Sequence, residues 1–200
     1  MRTYSSREVK ELLIAWIVLG LCFSVRALDF PPLFPTYFAA ALLTVGVAFI
    51  FHELAHKYIA QRYGCWAEFR LWSWGLLLAL LMAFVSRGRI LFAAPGAVYI
   101  VPLVRRLGWD FDFGLRGNGL ISLSGPLINV FLAVFFSIFR GLGGFIGLIG
   151  SMGYMINLWL AMFNMLPFPP LDGSKVFAWN KVVWAVITLP LIALVFFPAY

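Results

Sequence analysis

Charge is scarce in this chain: 12% of its 200 residues are charged, while 63% are hydrophobic. That balance excludes an ordinary soluble domain and points to an integral membrane protein. Acidic residues are rarer still, eight against fifteen basic ones, for a net charge of +7. The bases sit between apolar runs and form no long basic stripe, so the expected partner is the lipid bilayer and not nucleic acid. With only Cys22 and Cys65 present, neither a disulfide framework nor a cysteine-rich metal site is available. The chain also lacks internal repeats, low-complexity tracts and long Ser- or Gly-rich linkers, which leaves one membrane domain over residues 1–200.

What the sequence has instead is apolar length. A helix crossing a bilayer needs about 20 apolar residues, and runs at about 11–28, 37–63, 118–139, 145–166 and 176–198 supply them. The first run passes into Leu28, Asp29 and a proline cluster without the small-residue cleavage site of a signal peptide, and is read as a retained span. Gly75 to Val85 is too short to span comfortably. If residues 64–117 stay on the inner side with the N-terminus, most basic residues fall inside, Arg87 and Arg89 among them, leaving Arg26 and Arg140 outside and Lys57 within a helix. The expected fold is therefore an all-α polytopic membrane protein with about five transmembrane helices, six being possible. A small membrane-associated β element is expected between the second and third spans, where Ile90–Ala94 and Ala97–Val101 around Pro95-Gly96 suggest a hairpin. The N-terminus and the site opening are expected on the cytoplasmic side of the cell membrane.

Only two histidines occur, and both lie in Phe51-His52-Glu53-Leu54-Ala55-His56. Four residues is about one helical turn, so the two rings share a face. Two such imidazoles suit Zn²⁺ as ligands, and a glutamate beside the first can serve as the base that activates water. Ionisable groups inside a span cost a few kcal/mol each, which argues against ordinary core histidines here. Lys57 is expected to snorkel its amine to the inner interface.

A catalytic zinc usually takes three protein ligands, so a third must come from elsewhere. Asp29 falls on the outer side, Glu8 and Glu11 are N-terminal, and Asp110 and Asp112 lie in an arginine-rich loop. Asp172 differs, because prolines at 167, 169 and 170 end the preceding span and Gly173 permits a tight turn after it. With five spans it emerges on the same side as the histidines. Asp172 is thus a candidate ligand, with a helix cap as the alternative.

The paired segments, HExxH on one span and Asn164…Asp172-Gly173 after another, resemble the two signatures of the site-2 protease family of intramembrane zinc metalloproteases. The resemblance covers about Thr36 to Lys175. It implies one Zn²⁺ per chain held by His52, His56 and Asp172, with Glu53 as general base. It also implies that Asn164 binds substrate or the developing oxyanion, a helix-end cap being the alternative. Ser124-Gly125-Pro126-Leu127-Ile128-Asn129 looks like a weaker family element. Close packing explains most of it, while Asn129 could bond across helices or face the site.

These readings together describe a zinc endopeptidase that hydrolyses peptide bonds within or near the transmembrane helices of membrane-anchored substrates. A substrate helix would have to unwind before attack, and an exposed strand edge near residues 87–101 could hold it extended. Alternatives are a non-catalytic zinc-binding scaffold, a membrane zinc peptidase of another lineage with Glu68 as third ligand, and a transporter or channel.

Overall fold

The computed structural model describes residues 4–92, 94–102 and 113–197, and it is largely helical with one small sheet. Helix α1, Ser6–Ser24, opens on Ser5, whose hydroxyl accepts from the Glu8 amide at 3.0 Å. Two short 3₁₀ turns, Val25–Asp29 and Pro31–Leu33, reverse the chain into α2, Phe34–Arg62. At 29 residues, α2 is roughly 43 Å long, more than a bilayer core requires. Small residues let α1 approach it: Ala15 packs with Val45 and Ala48, and the Trp16 indole donates to the Leu42 carbonyl at 2.7 Å.

Strand β1, Cys65–Leu71, pairs antiparallel with β2, Gly96–Pro102, and helix α3, Ser73–Val85, lies between them in sequence. The expected hairpin of 90–94 against 97–101 is thus replaced by a longer-range pairing, Cys65 opposite Pro102 through Leu71 opposite Gly96. Cys65–Leu71 carries the β-favouring Trp66 and Phe69 and follows the end of α2 at Arg62 directly, which gives β2 an extended partner despite the sequence separation.

A second correction concerns sidedness. Helix α3 runs beside α1, with Ala79 and Ala83 against Cys22 and Val25, and a Cβ on Gly88 would touch the Arg26 backbone at 3.0 Å. Arg87 and Arg89 therefore sit at the same end of the molecule as Arg26, opposite the N-terminus, and not on the inner side as expected. The chain then returns: Pro95 accepts from the Trp72 amide at 2.8 Å, back at the α3 start. A helix with a non-helical return is invisible to a span count, which assumes that every crossing is helical. Ala93, Arg105, Arg106, Asp110 and Asp112 lie outside the described residues.

A π-helical turn at Phe113–Gly117 leads into α4, Asn118–Ser137, which runs antiparallel to α2 and is followed by α5, Gly144–Asn164. The Phe136 ring of α4 closes on Gly153 of α5, where no side chain intervenes. Among the described residues, four helical stretches are long and apolar enough to cross a membrane, namely Ser6–Asp29, Pro31–Arg62, Gly114–Ser137 and Gly144–Asn164. The run expected as a single span at 176–198 is instead divided into α6, Asp172–Trp179, and α7, Lys181–Phe196. Asn180 makes the break, since its extended backbone stops α6 while its side chain accepts from the Val182 and Val183 amides, both at 3.0 Å, to start α7.

Candidate metal centre and cleft

Helix periodicity brings His52 and His56 together on the inward-facing side of α2, with ring centroids 4.6 Å apart and planes at 83°. Asp172 starts α6 and turns its carboxylate onto both rings, Oδ2 lying 3.3 Å from His52 Nε2 and 3.0 Å from His56 Nε2. Its cap alternative is not what the geometry favours: Leu171 is the residue that precedes α6, and the Asp172 carboxylate is engaged with the imidazoles and with Lys175 Nζ at 3.6 Å. Gly173 makes this turn possible, because a Cβ there would run into the Met165 carbonyl. Burial works to raise the Asp172 pKa, yet the His56 and His52 imidazoles outweigh it and hold the carboxyl well below the usual carboxylate range.

One donor atom from each of the three residues lies within 4.8 Å of the others. Two imidazoles and one carboxylate form a donor set typical of catalytic zinc, with a position left open for water. Two further observations fit an ion there. Helix α4 presents Gly125 to this spot, where a Cβ would meet both Nε2 atoms, that of His52 at 2.6 Å. And Glu53 Oε2, buried beside the donors, has no hydrogen-bond partner among the described residues, as expected of a group that works on water.

The rear of each ring is fixed. His56 Nδ1 donates to the Ile121 carbonyl at 2.8 Å, and Ser124 Oγ lies 3.4 Å from the same nitrogen. His52 Nδ1 meets Asn129 Oδ1 at 2.6 Å. Asn129 therefore stands behind His52 and does not line the cleft, so of its two expected possibilities the cross-helix bond is the one present.

In front of the donors lies a cavity of about 400 Å³, walled by His52, Glu53, His56, Asn164, Asp172, Lys175 and Arg70 together with β2 residues 96–100. Asn164 is on this wall, with Nδ2 donating to the Leu160 carbonyl at 3.0 Å and its Oδ1 and second amide hydrogen left for the cavity.

Glu68, the alternative third ligand, is engaged by Arg70 at 3.0 Å and by the Ser5 hydroxyl. Lys57 does not snorkel. It is 4% exposed, and its amine meets both Glu8 oxygens at 2.7 and 2.5 Å beneath the Tyr4 ring. A carboxylate at matching depth on α1 makes the buried position tolerable, and nothing in the α2 sequence by itself announces that partner.

No family model matches the chain, and no solved structure does. Curated relatives do. A protein of Methanocaldococcus jannaschii named as a candidate zinc metalloprotease is 42% identical over 192 residues, covering 94% of this chain and 93% of its own length. One of Bacillus subtilis with the same kind of name is 30% identical over 153 residues, 68% of this chain and 66% of its own. A longer zinc metalloprotease of M. jannaschii is 24% identical over 140 residues, 34% of its length. These relatives imply zinc, and His52, His56 and Asp172 are the described residues that could hold it. A donor cluster suited to zinc, set among membrane-length helices, thus accompanies end-to-end similarity, and this chain belongs to the zinc metalloprotease family.

Proposed function

We propose that the chain is an intramembrane endopeptidase of the site-2 protease type, cleaving membrane-anchored proteins within or near their transmembrane helices. The observation that carries the reading is the position of the donor cluster: His56 lies seven residues before Tyr63, roughly 10 Å into α2 from its end, and not on an external loop.

When bound, zinc supplies Lewis acidity that polarises a peptide carbonyl and acidifies water at its open position. Glu53 takes a proton from the attacking water and passes it to the leaving nitrogen as the C–N bond breaks, so that hydroxyl ends on the new carboxyl and hydrogen on the new amine. The buried, unpartnered Oε2 suits that transfer. Asn164 offers its free amide hydrogen to the oxygen on which negative charge develops.

Substrate binding follows from the ladder. Phe69 and Leu71 of β1 send their amides away from β2, to Glu8 Oε1 at 3.0 Å and Glu11 Oε2 at 2.8 Å. Their partners Val98 and Gly96 are therefore non-hydrogen-bonded pairs, whose own amides face the other edge of β2. Among the described residues no strand covers that edge, and the same segment walls the cavity. An unwound substrate segment adds there as a third strand, its backbone bonds compensating for the lost helix.

We assign the cleft mouth and the N-terminus to the cytoplasmic side. Arg7, Lys10, Arg62, Arg70, Lys175 and Lys181 lie at that end, against Arg26, Arg87, Arg89 and Arg140 at the other.

The test is cleavage of a model transmembrane substrate by the purified chain. Glu53→Gln should lower the rate by roughly 10²- to 10⁴-fold while zinc content persists, and chelation should abolish cleavage reversibly. Undiminished cleavage by that variant would remove the assigned base, and a zinc-loaded wild type that cuts nothing would favour a scaffold.

A further inference from the structure

We propose that Asn157, a residue of α5 that does not reach the cleft, acts through Asn129 as a positioning residue that locks the His52 imidazole in its metal-binding tautomer and thereby sets zinc affinity. The inference rests on the zinc reading above and deepens it.

The bond pattern leaves one assignment. Asn157 Nδ2 donates to the Gly153 carbonyl at 2.8 Å, an atom that can only accept, so the oxygen of this amide is the atom facing Asn129. Asn129 Nδ2 donates both to that Asn157 Oδ1, at 2.9 Å, and to the Ala48 carbonyl at 3.0 Å. Both hydrogens of Asn129 are thereby spent, and its Oδ1 is the atom turned to His52 Nδ1, 2.6 Å away. An oxygen there demands that Nδ1 carry the proton, which leaves the Nε2 lone pair directed at the site.

Both asparagines are fully buried, at 0% exposure, so bulk solvent does not reach either amide to take over an abandoned partner. Without Asn157, one Asn129 hydrogen is orphaned, and rotation of the amide becomes less costly. A rotated amide would present NH₂ to His52 and favour the opposite tautomer, with the proton on the ligand atom. The chain Gly153–Asn157–Asn129–His52 joins three helices, α5, α4 and α2, to one ring nitrogen. His56 has no such device, since the Ile121 carbonyl that holds its Nδ1 cannot flip.

The experiment measures zinc dissociation by chelator competition on the full-length chain in detergent micelles, with unfolding followed in parallel. Loss of a ligand's hydrogen-bonding partner typically weakens metal binding by about 10- to 100-fold. Asn129→Leu should show that loss, and Asn157→Leu a loss of about 10-fold. Because Asn157 acts only through Asn129, adding Asn157→Leu to Asn129→Leu should cost no further affinity. Asn157→Thr should restore binding to within about 3-fold, its hydroxyl donating back to Gly153 as Thr44 does to Ala40 at 2.8 Å.

Wild-type affinity in Asn157→Leu, or a full additional loss in the double variant, overturns the proposal. Should Asn157→Leu not fold, the zinc-loaded wild type decides by ¹⁵N resonance of its two histidines. A protected Nδ1–H on His52 is expected, and its absence overturns the assignment. A wild type that binds no zinc refutes the metal reading itself, an outcome distinct from either.

Discussion

At the scale of single residues, the centre divides into what one helix dictates and what only neighbours can supply. His52 and His56 were legible because helical periodicity alone fixes their common face, and Glu53 because it adjoins the first of them. Asp172 was legible only jointly, through span polarity and the prolines before it. Asn157 was not, for a lone amide in an apolar run carries no sign of the carbonyl and the second amide it will meet. Gly125 has its own test: Gly125→Ala puts a methyl against both ring nitrogens, so the purified variant should carry well under one zinc by metal analysis, while its helices persist. The Lys57–Glu8 pair gives another. Removing one partner of a buried ion pair costs about 3–5 kcal/mol, so Lys57→Met should lower the unfolding midpoint measurably in detergent, and Glu8→Gln should lower it too. Unchanged unfolding in both would mean that the pair contributes nothing.

At the scale of elements, β2 offers the clearest separation of fold from function. The Val98 amide points away from β1, whereas the Tyr99 amide belongs to the ladder. Val98→Pro should therefore leave the sheet and zinc content intact while substrate cleavage falls, and Tyr99→Pro should damage the fold as well. Equal cleavage by wild type and Val98→Pro would rule out strand addition at this edge. The sequence announced a β element here but mispaired it, because turn residues at Pro95-Gly96 say where a strand begins and nothing about which distant segment lies opposite. In the same way, apolarity ran straight through Asn180, whose capping role depends on backbone angles that composition does not encode.

At the scale of the whole molecule, counting helical spans reached the correct relation between Asp172 and the histidines while misplacing Arg87 and Arg89. The two results are compatible because α3 descends beside α1 and the chain returns without a helix, so one excursion leaves all later elements on their original sides. Site-directed thiol labelling checks this directly, since Cys22 and Cys65 are buried and give little background. Cysteine placed at Arg87 should react from the compartment opposite to that which labels cysteine at Tyr4 or Lys175. Labelling of all three from one compartment would refute the excursion.

Glu8 and Glu11 also have a consequence for association between copies. By occupying the outward amides of β1 they leave the sheet, among the described residues, with one open border instead of two. A particle with two free borders can stack without end, but one with a single border can join only one neighbour, β2 to β2, and the series stops at a pair. Any edge-to-edge pairing of copies through this sheet would therefore end at two, because Glu8 and Glu11 already hold the Phe69 and Leu71 amides.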